Sequence, residues 1–375
     1  MFLCTFVFVN HPTILHQKIM KCRAHYLISC LSAIAALSSC STSVKTEPPA
    51  EIYFTDNITV YPAEAFTPDS ITATTVIDEV IGAMWITAGN GLIAVSTPRD
   101  EPMVKIYTST GKPLGSFCHR GQGPDDFINT HISRPHISDA GDTCLWINDV
   151  TGQALKRLNI SLSRREGHTK VDSVAPTAFG AINALIAGDM LVFEMMDNDA
   201  YKLRYRNLAE LTDTLHTEQM YIHPSSDFYA YTGNPDVSPD GKHLAIGMSY
   251  FNQINIIDLP GMERRAVSIG NLKKYDNCYN SAERMPEFYA YGSTTCGNND
   301  IYAIYYGMAE GDIAPETEQQ PVGTTIHVIT FDGTVRKILA APEQLQSISF
   351  DEDTATLYGI VTDERIYKYD LNDLR

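Results

Sequence analysis

From residue 52 onward the apolar residues fall in short runs separated by turn-forming ones. Examples are Gly91–Ser96 (GLIAVS), Val104–Tyr107 (VKIY), Leu145–Asn148 (LWIN), Asp189–Phe193 (DMLVF), Asn255–Asp258 (NIID), Ile301–Tyr306 (IYAIYY), Thr325–Thr330 (TIHVIT) and Ile366–Tyr369 (IYKY). β-Branched and aromatic residues dominate these runs, and Gly, Asn, Asp or Pro bounds them, which predicts β-strands. Many short strands at even spacing predict a sandwich, a barrel or a propeller. One stretch conflicts with this pattern. Leu208, Leu211 and Leu215 stand at helical spacing, whereas the phase of the neighbouring runs predicts strands over Tyr201–Arg206 and Thr212–Thr217.

Internal repetition decides among the all-β architectures. Pro followed three residues later by a large apolar residue recurs at Pro68/Ile71, Pro124/Phe127, Pro176/Phe179 and Pro342/Leu345, with variants at Ser225/Phe228 and Pro286/Phe288. The apolar members lie 56, 52, 49, 60 and 57 residues apart. A strand–turn–strand signal closes most units: Tyr107–Gly111, Asn148–Gly152, Ile257–Gly261, Phe331–Gly333 and Tyr369–Leu371. Six units with four short strands each predict an all-β fold, a six-bladed β-propeller of four-stranded antiparallel blades spanning residues 52–375. One four-stranded sheet cannot bury both its faces, and radial stacking lets each face pack on a neighbour. Ring closure removes exposed sheet edges, so Ile58–Tyr61 or Ile71–Val76 is expected to complete the last blade beside Ile366–Tyr369.

The first 39 residues read as a signal region. Tyr26–Leu37 is a twelve-residue apolar run preceded by Lys21 and Arg23 and followed by Leu-Ser-Ser-Cys40. It is shorter than the roughly 18–20 residues that a spanning helix needs. The small residues before Cys40 resemble a lipobox, in which the Cys thiol takes a diacylglyceryl group and becomes the new N-terminus. Residues 40–51 then form a lipidated tether, and Met20 is the better translation start because the stretch before it lacks the basic-then-apolar order. This places the protein in the cell envelope, lipid-anchored at the outer membrane on its periplasmic or surface side.

Net charge is −17, with 45 Asp+Glu against 28 Lys+Arg, and loss of Lys18, Lys21 and Arg23 on processing takes it to −20. Such an acidic chain is a poor partner for nucleic acid, whose phosphates demand a basic surface. Of eight Cys, four lie in residues 1–40 and the body keeps Cys118, Cys144, Cys278 and Cys296. No CxxC pair occurs. Cys278–Cys296 is the most plausible disulfide, and buried unpaired thiols are the simpler alternative.

Gly111–Phe127 (GKPLGSFCHRGQGPDDF) is the most specific segment. Its Gly121, Gly123, Pro124, Asp126 and Phe127 resemble the G-x-G-P-x-[ED]-[FY] signature of the TolB-like six-bladed propeller-like family of exported bacterial lipoproteins, with Asp126 where Glu is usual. Asp236–Lys242 (DVSPDGK) likewise resembles a blade turn of TolB-type propellers. The resemblance implies a fold and an address. It implies no reaction and carries no catalytic residues.

No GxSxG, HExxH, P-loop or EF-hand motif is present. His131 and His136, five apart on a predicted strand, would point to opposite faces. Asp197–Asp199, Asn298–Asp300 and Asp351–Asp353 have oxygen ligands suited to Ca²⁺, but they fall where tight turns are expected. No cofactor is therefore implied, with a structural or channel Ca²⁺ left open.

The most suggestive feature is aromatic. Asp227–Tyr231 (DFYAY) and Glu287–Tyr291 (EFYAY) are near copies sixty residues apart. If each enters an innermost strand, alternation buries Phe228 and Phe288 and presents Tyr229, Tyr231, Tyr289 and Tyr291 at one mouth of the central channel. Arg120, Asp125 and Asp126 come from the equivalent crossover of an earlier blade. Tyr offers large contact area with a polar tip, which suits a peptide, protein or glycan. The expected function is a binding or scaffolding module. The alternative is a propeller enzyme (glycan lyase, hydrolase or lactonase) with a metal or acid pair in the funnel.

Overall fold

The computed structural model describes residues 54–372 apart from 179, 198–199, 209–215, 221–227, 273–278, 281–284 and 310–322. The chain begins with three strands, β1 (Ile58–Tyr61), β2 (Asp69–Ser70) and β3 (Ala73–Ile77). Blade 1 follows as β4 (Trp85–Gly89), β5 (Leu92–Ser96), β6 (Val104–Thr108) and β7 (Pro113–Phe117). Blade 2 is β8 (His131–Ile137), β9 (Thr143–Asp149), β10 (Ala154–Asn159) and β11 (Val171–Pro176), with helix α1 (Ile160–Glu166) between the last two. Blade 3 is β12 (Ala181–Ala187), β13 (Met190–Asp197), β14 (Ala200–Asn207) and β15 (His216–Gln219). Blade 4 is β16 (Gly233–Val237), β17 (His243–Met248), β18 (Ile254–Asp258) and β19 (Glu263–Ile269). A small ribbon, β20 (Tyr279–Asn280) with β21 (Met285–Pro286), lies in the crossover to blade 5. Blade 5 is β22 (Phe288–Cys296), β23 (Asp300–Ala309), β24 (Thr324–Thr330) and β25 (Val335–Ala341). Blade 6 is β26 (Leu345–Asp351), β27 (Thr356–Val361) and β28 (Ile366–Asp370), completed by β3.

The fold is thus the six-bladed, all-β propeller that the repeats predict. β3 pairs antiparallel with β28, Ile77 opposite Ile366 and Ala73 opposite Tyr369, so the later of the two N-terminal candidates closes the ring. The earlier candidate does something else. β1 adds in parallel to the outer strand of blade 4, Ile58 opposite Ala266, and β2 adds in parallel to β25 of blade 5. One N-terminal segment therefore runs along three consecutive blades and covers outer edges that would otherwise be free to pair with another chain.

The core is divided by the ring. Buried apolar side chains of the described residues fall into six clusters, one in each gap between neighbouring blades. The gap between blades 5 and 6, for example, holds Ile304, Ile326, Phe350 and Leu357. Ile71, Phe127, Phe288 and Leu345, the repeat-marker positions whose side chains are described, are all buried. Phe127, Phe288 and Leu345 stand where the chain enters an innermost strand, whereas Ile71 precedes β3, the outer strand of blade 6. Burial of such a side chain contributes about 1.5–3 kcal/mol.

At the other end of the blades, several polar turns share one pattern. In Ser238–Lys242 the Ser238 hydroxyl donates to Asp240 (2.7 Å) and accepts from the Lys242 N–H (3.2 Å). Gly241 takes φ +72°, and a Cβ there would stand 2.3 Å from the Gly188 nitrogen of the neighbouring blade. Both its backbone angle and its packing require glycine. Tyr201–Arg206 lies within strand β14, as the repeat phase predicts, while 209–215 lies outside the described residues.

Candidate functional site

The innermost strand of each blade has one sheet neighbour, so half its backbone N–H groups face the next blade unpaired. Short polar side chains of the adjacent blade satisfy several of them. Ser347 and Ser349 of β26 accept from Ile86 (3.2 Å) and Ala88 (2.9 Å) of β4. Ser293 and Thr295 of β22 accept from Ile348 (3.1 Å) and Phe350 (3.2 Å) of β26. Asp236 of β16 accepts from Cys296 of β22 (2.8 Å). Asn148, with its amide in the orientation that satisfies it, accepts from Asn183 (3.3 Å) and Ala184 (3.0 Å) of β12.

These strands surround a central cavity of about 80 Å³, lined by residues of β4, β8, β12, β16, β22 and β26. Two charged side chains face it. Arg134 of blade 2 reaches across to Asp236 of blade 4, Nη2 to Oδ2 3.3 Å, and also donates to the Cys296 carbonyl of blade 5. About a fifth of the Arg134 side chain and a quarter of Asp236 remain exposed (21% and 24%). Burial raises the Asp236 carboxyl above its usual value, against the lowering pull of Arg134 and of the Cys296 N–H. His131, three residues before Arg134, packs tilted against Trp85 with ring centroids 4.9 Å apart, and burial lowers its pKa to about 4. Its ring is therefore neutral at pH 7.

The sequence-selected residues lie elsewhere. Phe228–Tyr231 does not enter an innermost strand but forms a 3₁₀ turn before β16, whereas Phe288–Tyr291 opens β22. Tyr231 and Tyr291 are both 2% exposed, a correction to the expectation that they present stacking faces. Tyr231 packs on Phe251, ring centroids 6.5 Å apart. Tyr291 packs in the gap between blades 4 and 5, its hydroxyl 3.1 Å from Nδ1 of His327. Two irregularities in the β22–β23 register, flanking Tyr291, break the simple alternation that would have exposed it. Phe288 is buried, as alternation predicts. The side chains of Phe228 and Tyr229 lie outside the described residues.

Among the described copy residues, Tyr289 stays half-buried at the crossover end. It meets half-buried Tyr250 of the β17–β18 loop edge to face, centroids 5.6 Å apart. The Ala290 N–H bonded to the Ser249 carbonyl (2.8 Å) fixes the two segments side by side. Asn234 donates to the Ser249 hydroxyl (3.4 Å), adding a polar flank. Tyr250 and Arg134 had no sequence signal of their own. The inner-strand hydroxyls did, since Ser293/Thr295 and Ser347/Ser349 recur 54 residues apart.

Arg120, Asp125 and Asp126 do not line the central cavity. Their loop is held between blades 1 and 2. Arg120 donates to the Pro98 (2.7 Å) and Ile128 (3.2 Å) carbonyls, and Asp125 accepts from Val171 N–H (2.8 Å). Asp126 accepts from Gly123 N–H (2.9 Å), and a Cβ on Gly121 would stand 2.2 Å from the Asp126 carboxylate. The Gly-x-Gly-Pro-x-Asp-Phe segment is thus a self-bonded clasp around Phe127, which is fully buried with the Lys156 ammonium 4.9 Å from its ring centroid.

The polar candidates also resolve into structure. Asp351 caps its own turn, accepting from Asp353 N–H (3.2 Å) and the Thr354 hydroxyl (2.8 Å), and Asp300 pairs with Arg336 (3.0 Å). His136 stacks near Trp146, centroids 6.3 Å apart, away from the His131–Trp85 pair. Cys118, Cys144 and Cys296 are buried free thiols, and Cys278 lies outside the described residues, as does Cys40. Among the described residues no cluster of three or more His, Cys, Asp or Glu is placed to hold a metal.

No family model matches the sequence, and no curated protein does. Solved structures share the fold. A member of the DUF4221 family from Bacteroides vulgatus ATCC 8482 aligns with a TM-score of 0.53 at 10% identity, covering 81% of this chain and 96% of its own. A Bacteroides fragilis NCTC 9343 protein named as an exported one aligns with a TM-score of 0.53 at 11% identity, covering 83% of this chain and 98% of its own. At such low identity the likeness establishes a shared six-bladed propeller architecture.

Proposed function

We propose that the protein is a lipid-anchored cell-envelope propeller that binds a peptide, protein or glycan on its crossover face. The observation that carries this reading is the half-buried Tyr250–Tyr289 pair, set on two adjacent blades and flanked by Asn234 and Ser249. Two rigidly seated aromatic faces with polar tips supply contact area at little entropic cost. The scaffold beneath is closed by β3 on β28 and does not need to rearrange. Export is supported by the signal-like segment before Cys40 and by the exported Bacteroides fragilis protein of the same architecture. Cys40 provides the anchor, and residues 40–51 form the tether that holds the propeller off the bilayer.

Screening the purified protein on arrays of oligosaccharides and peptides tests the binding reading. Binders should lose at least tenfold in affinity with Tyr250→Ala/Tyr289→Ala while the fold is retained. Equal binding by the double variant would overturn the site. Mass spectrometry of membrane-extracted protein tests the anchor, and a product retaining residues before Cys40 would contradict it.

A further inference from the structure

We propose that the central channel is a binding site for a small carboxylate, held by the outer nitrogen of Arg134 with His131 and Ser133 beside it. Arg134 uses Nη2 for Asp236 and the Cys296 carbonyl, and its Nε is enclosed. Nη1 has no hydrogen-bond partner among the described residues, and it is not one of the enclosed polar atoms. A guanidinium can only donate, so this edge requires an acceptor. Charge-assisted bonds to a carboxylate are the strongest that it can form. His131 adds a neutral imidazole with no hydrogen-bond partner among the described residues, and Ser133 adds a hydroxyl from the same strand.

The rest of the lining fixes the ligand's shape. Half-buried Trp85 and Leu185 add apolar surface to the lining, while Ile86, Ile132 and Ile348 line it but belong to the interblade cores. The hydroxyls of Ser293, Thr295, Ser347 and Ser349 are already bonded to backbone, and the Thr294 hydroxyl is enclosed. A cavity of about 80 Å³ admits an acid of a few heavy atoms or the carboxylate end of a larger one. The shared chemistry is a carboxylate on a short body, from a free short-chain acid or from a uronic acid. This site stands apart from the Tyr250–Tyr289 pair, so the failure of either leaves the other untouched.

Asp236 makes the site proton-linked. It faces Arg134 and His131 from β8 and accepts from the Cys296 N–H of β22, whose thiol donates to the Asp236 backbone carbonyl, and among the described residues it is the one carboxylate lining the cavity. With Asp236 ionised the Arg134 charge is neutralised. Once Asp236 takes a proton the charge is unopposed and an anion binds better. Affinity should therefore rise as pH falls toward the titration of Asp236, which burial holds above the usual carboxylate range, as long as the ligand's own carboxyl stays ionised.

Isothermal titration calorimetry of the full chain in carboxylate-free buffer provides the test, using sodium propionate, sodium glucuronate, glucose and sodium chloride. Binding of propionate alone identifies a free short-chain acid, and binding of glucuronate identifies the sugar acid. Arg134→Met should weaken either at least tenfold. Asp236→Asn should tighten binding at pH 7 and flatten its pH dependence. If Arg134→Met does not fold, His131→Phe, which keeps a ring on Trp85, should weaken binding at least threefold. The proposal is overturned if neither acid binds, if glucose or chloride binds as well, or if the variants bind as the parent does.

Discussion

The two Phe-Tyr-Ala-Tyr segments carry the same four residues on different backbones. Residues 228–231 form a 3₁₀ turn and residues 288–291 form the start of a nine-residue strand. The difference lies in the partner available. β23 runs ten residues, to Ala309, so its far end pairs with Phe288 and Tyr289. β17 stops at Met248, which pairs with Gly233, so among the described residues the β16–β17 ladder does not extend to 228–231. What the copies share is burial. Ala230 and Ala290 are fully enclosed and Tyr231 and Tyr291 are 2% exposed. The repeated element is therefore an Ala-Tyr plug under the crossover, and the backbone around it follows the length of the neighbouring strand.

The largest effect expected from this comparison is the loss of either plug. Tyr231→Ala and Tyr291→Ala should each cost about 3–5 kcal/mol in denaturant unfolding, because each empties an enclosed aromatic site. A cost below about 1 kcal/mol in one copy would show that the two are not equivalent.

Acid separates the copies next. Tyr291 rests on His327, whose pKa burial lowers from 6.5 to about 3, whereas Tyr231 rests on Phe251. Between those two pH values the unfolded chain binds a proton that the folded chain excludes. Stability should fall on acidification below about pH 6.5, by up to about 1.4 kcal/mol per pH unit from this residue. His327→Gln should flatten that slope in urea titrations at pH 4–7, leaving the part due to His131, which is similarly depressed. An unchanged slope would remove His327 from the account.

Smaller effects follow. Ala230→Val and Ala290→Val overpack enclosed positions and should each cost about 1–3 kcal/mol. Tyr291→Phe removes one buried hydrogen bond and should cost about 1 kcal/mol, with the thermal midpoint as the readout.

The fold was legible because its signals are local and repeated. Turn residues bound each strand, and the buried marker at Ile71, Phe127, Phe288 and Leu345 fixed the blade phase. Closure by β3 followed from the need to cover edges, but the parallel addition of β1 and β2 to blades 4 and 5 had no periodic trace. The site was less legible. Period-two reasoning assumes an unbroken strand, and both copies violate it, one by turning and one by register shifts around Tyr291. Asp236 was visible only as the start of a turn, since its pairing with Arg134 joins residues 102 apart across the channel. The clasp at Gly121–Phe127 was the reverse case, a conspicuous motif whose polar groups serve their own loop and blades 1 and 2.

The central claim is that the Ala-Tyr plugs hold the propeller together while Tyr289, with Tyr250, is the part left for binding. Paired measurement on single variants tests it most directly: array-derived ligand affinity and thermal midpoint for Tyr289→Ala beside Tyr291→Phe. The account predicts that Tyr289→Ala loses at least fivefold in affinity with its midpoint within about 2 °C of the parent, and that Tyr291→Phe lowers the midpoint while affinity holds. Full affinity in Tyr289→Ala, or lost affinity in Tyr291→Phe alone, would contradict it.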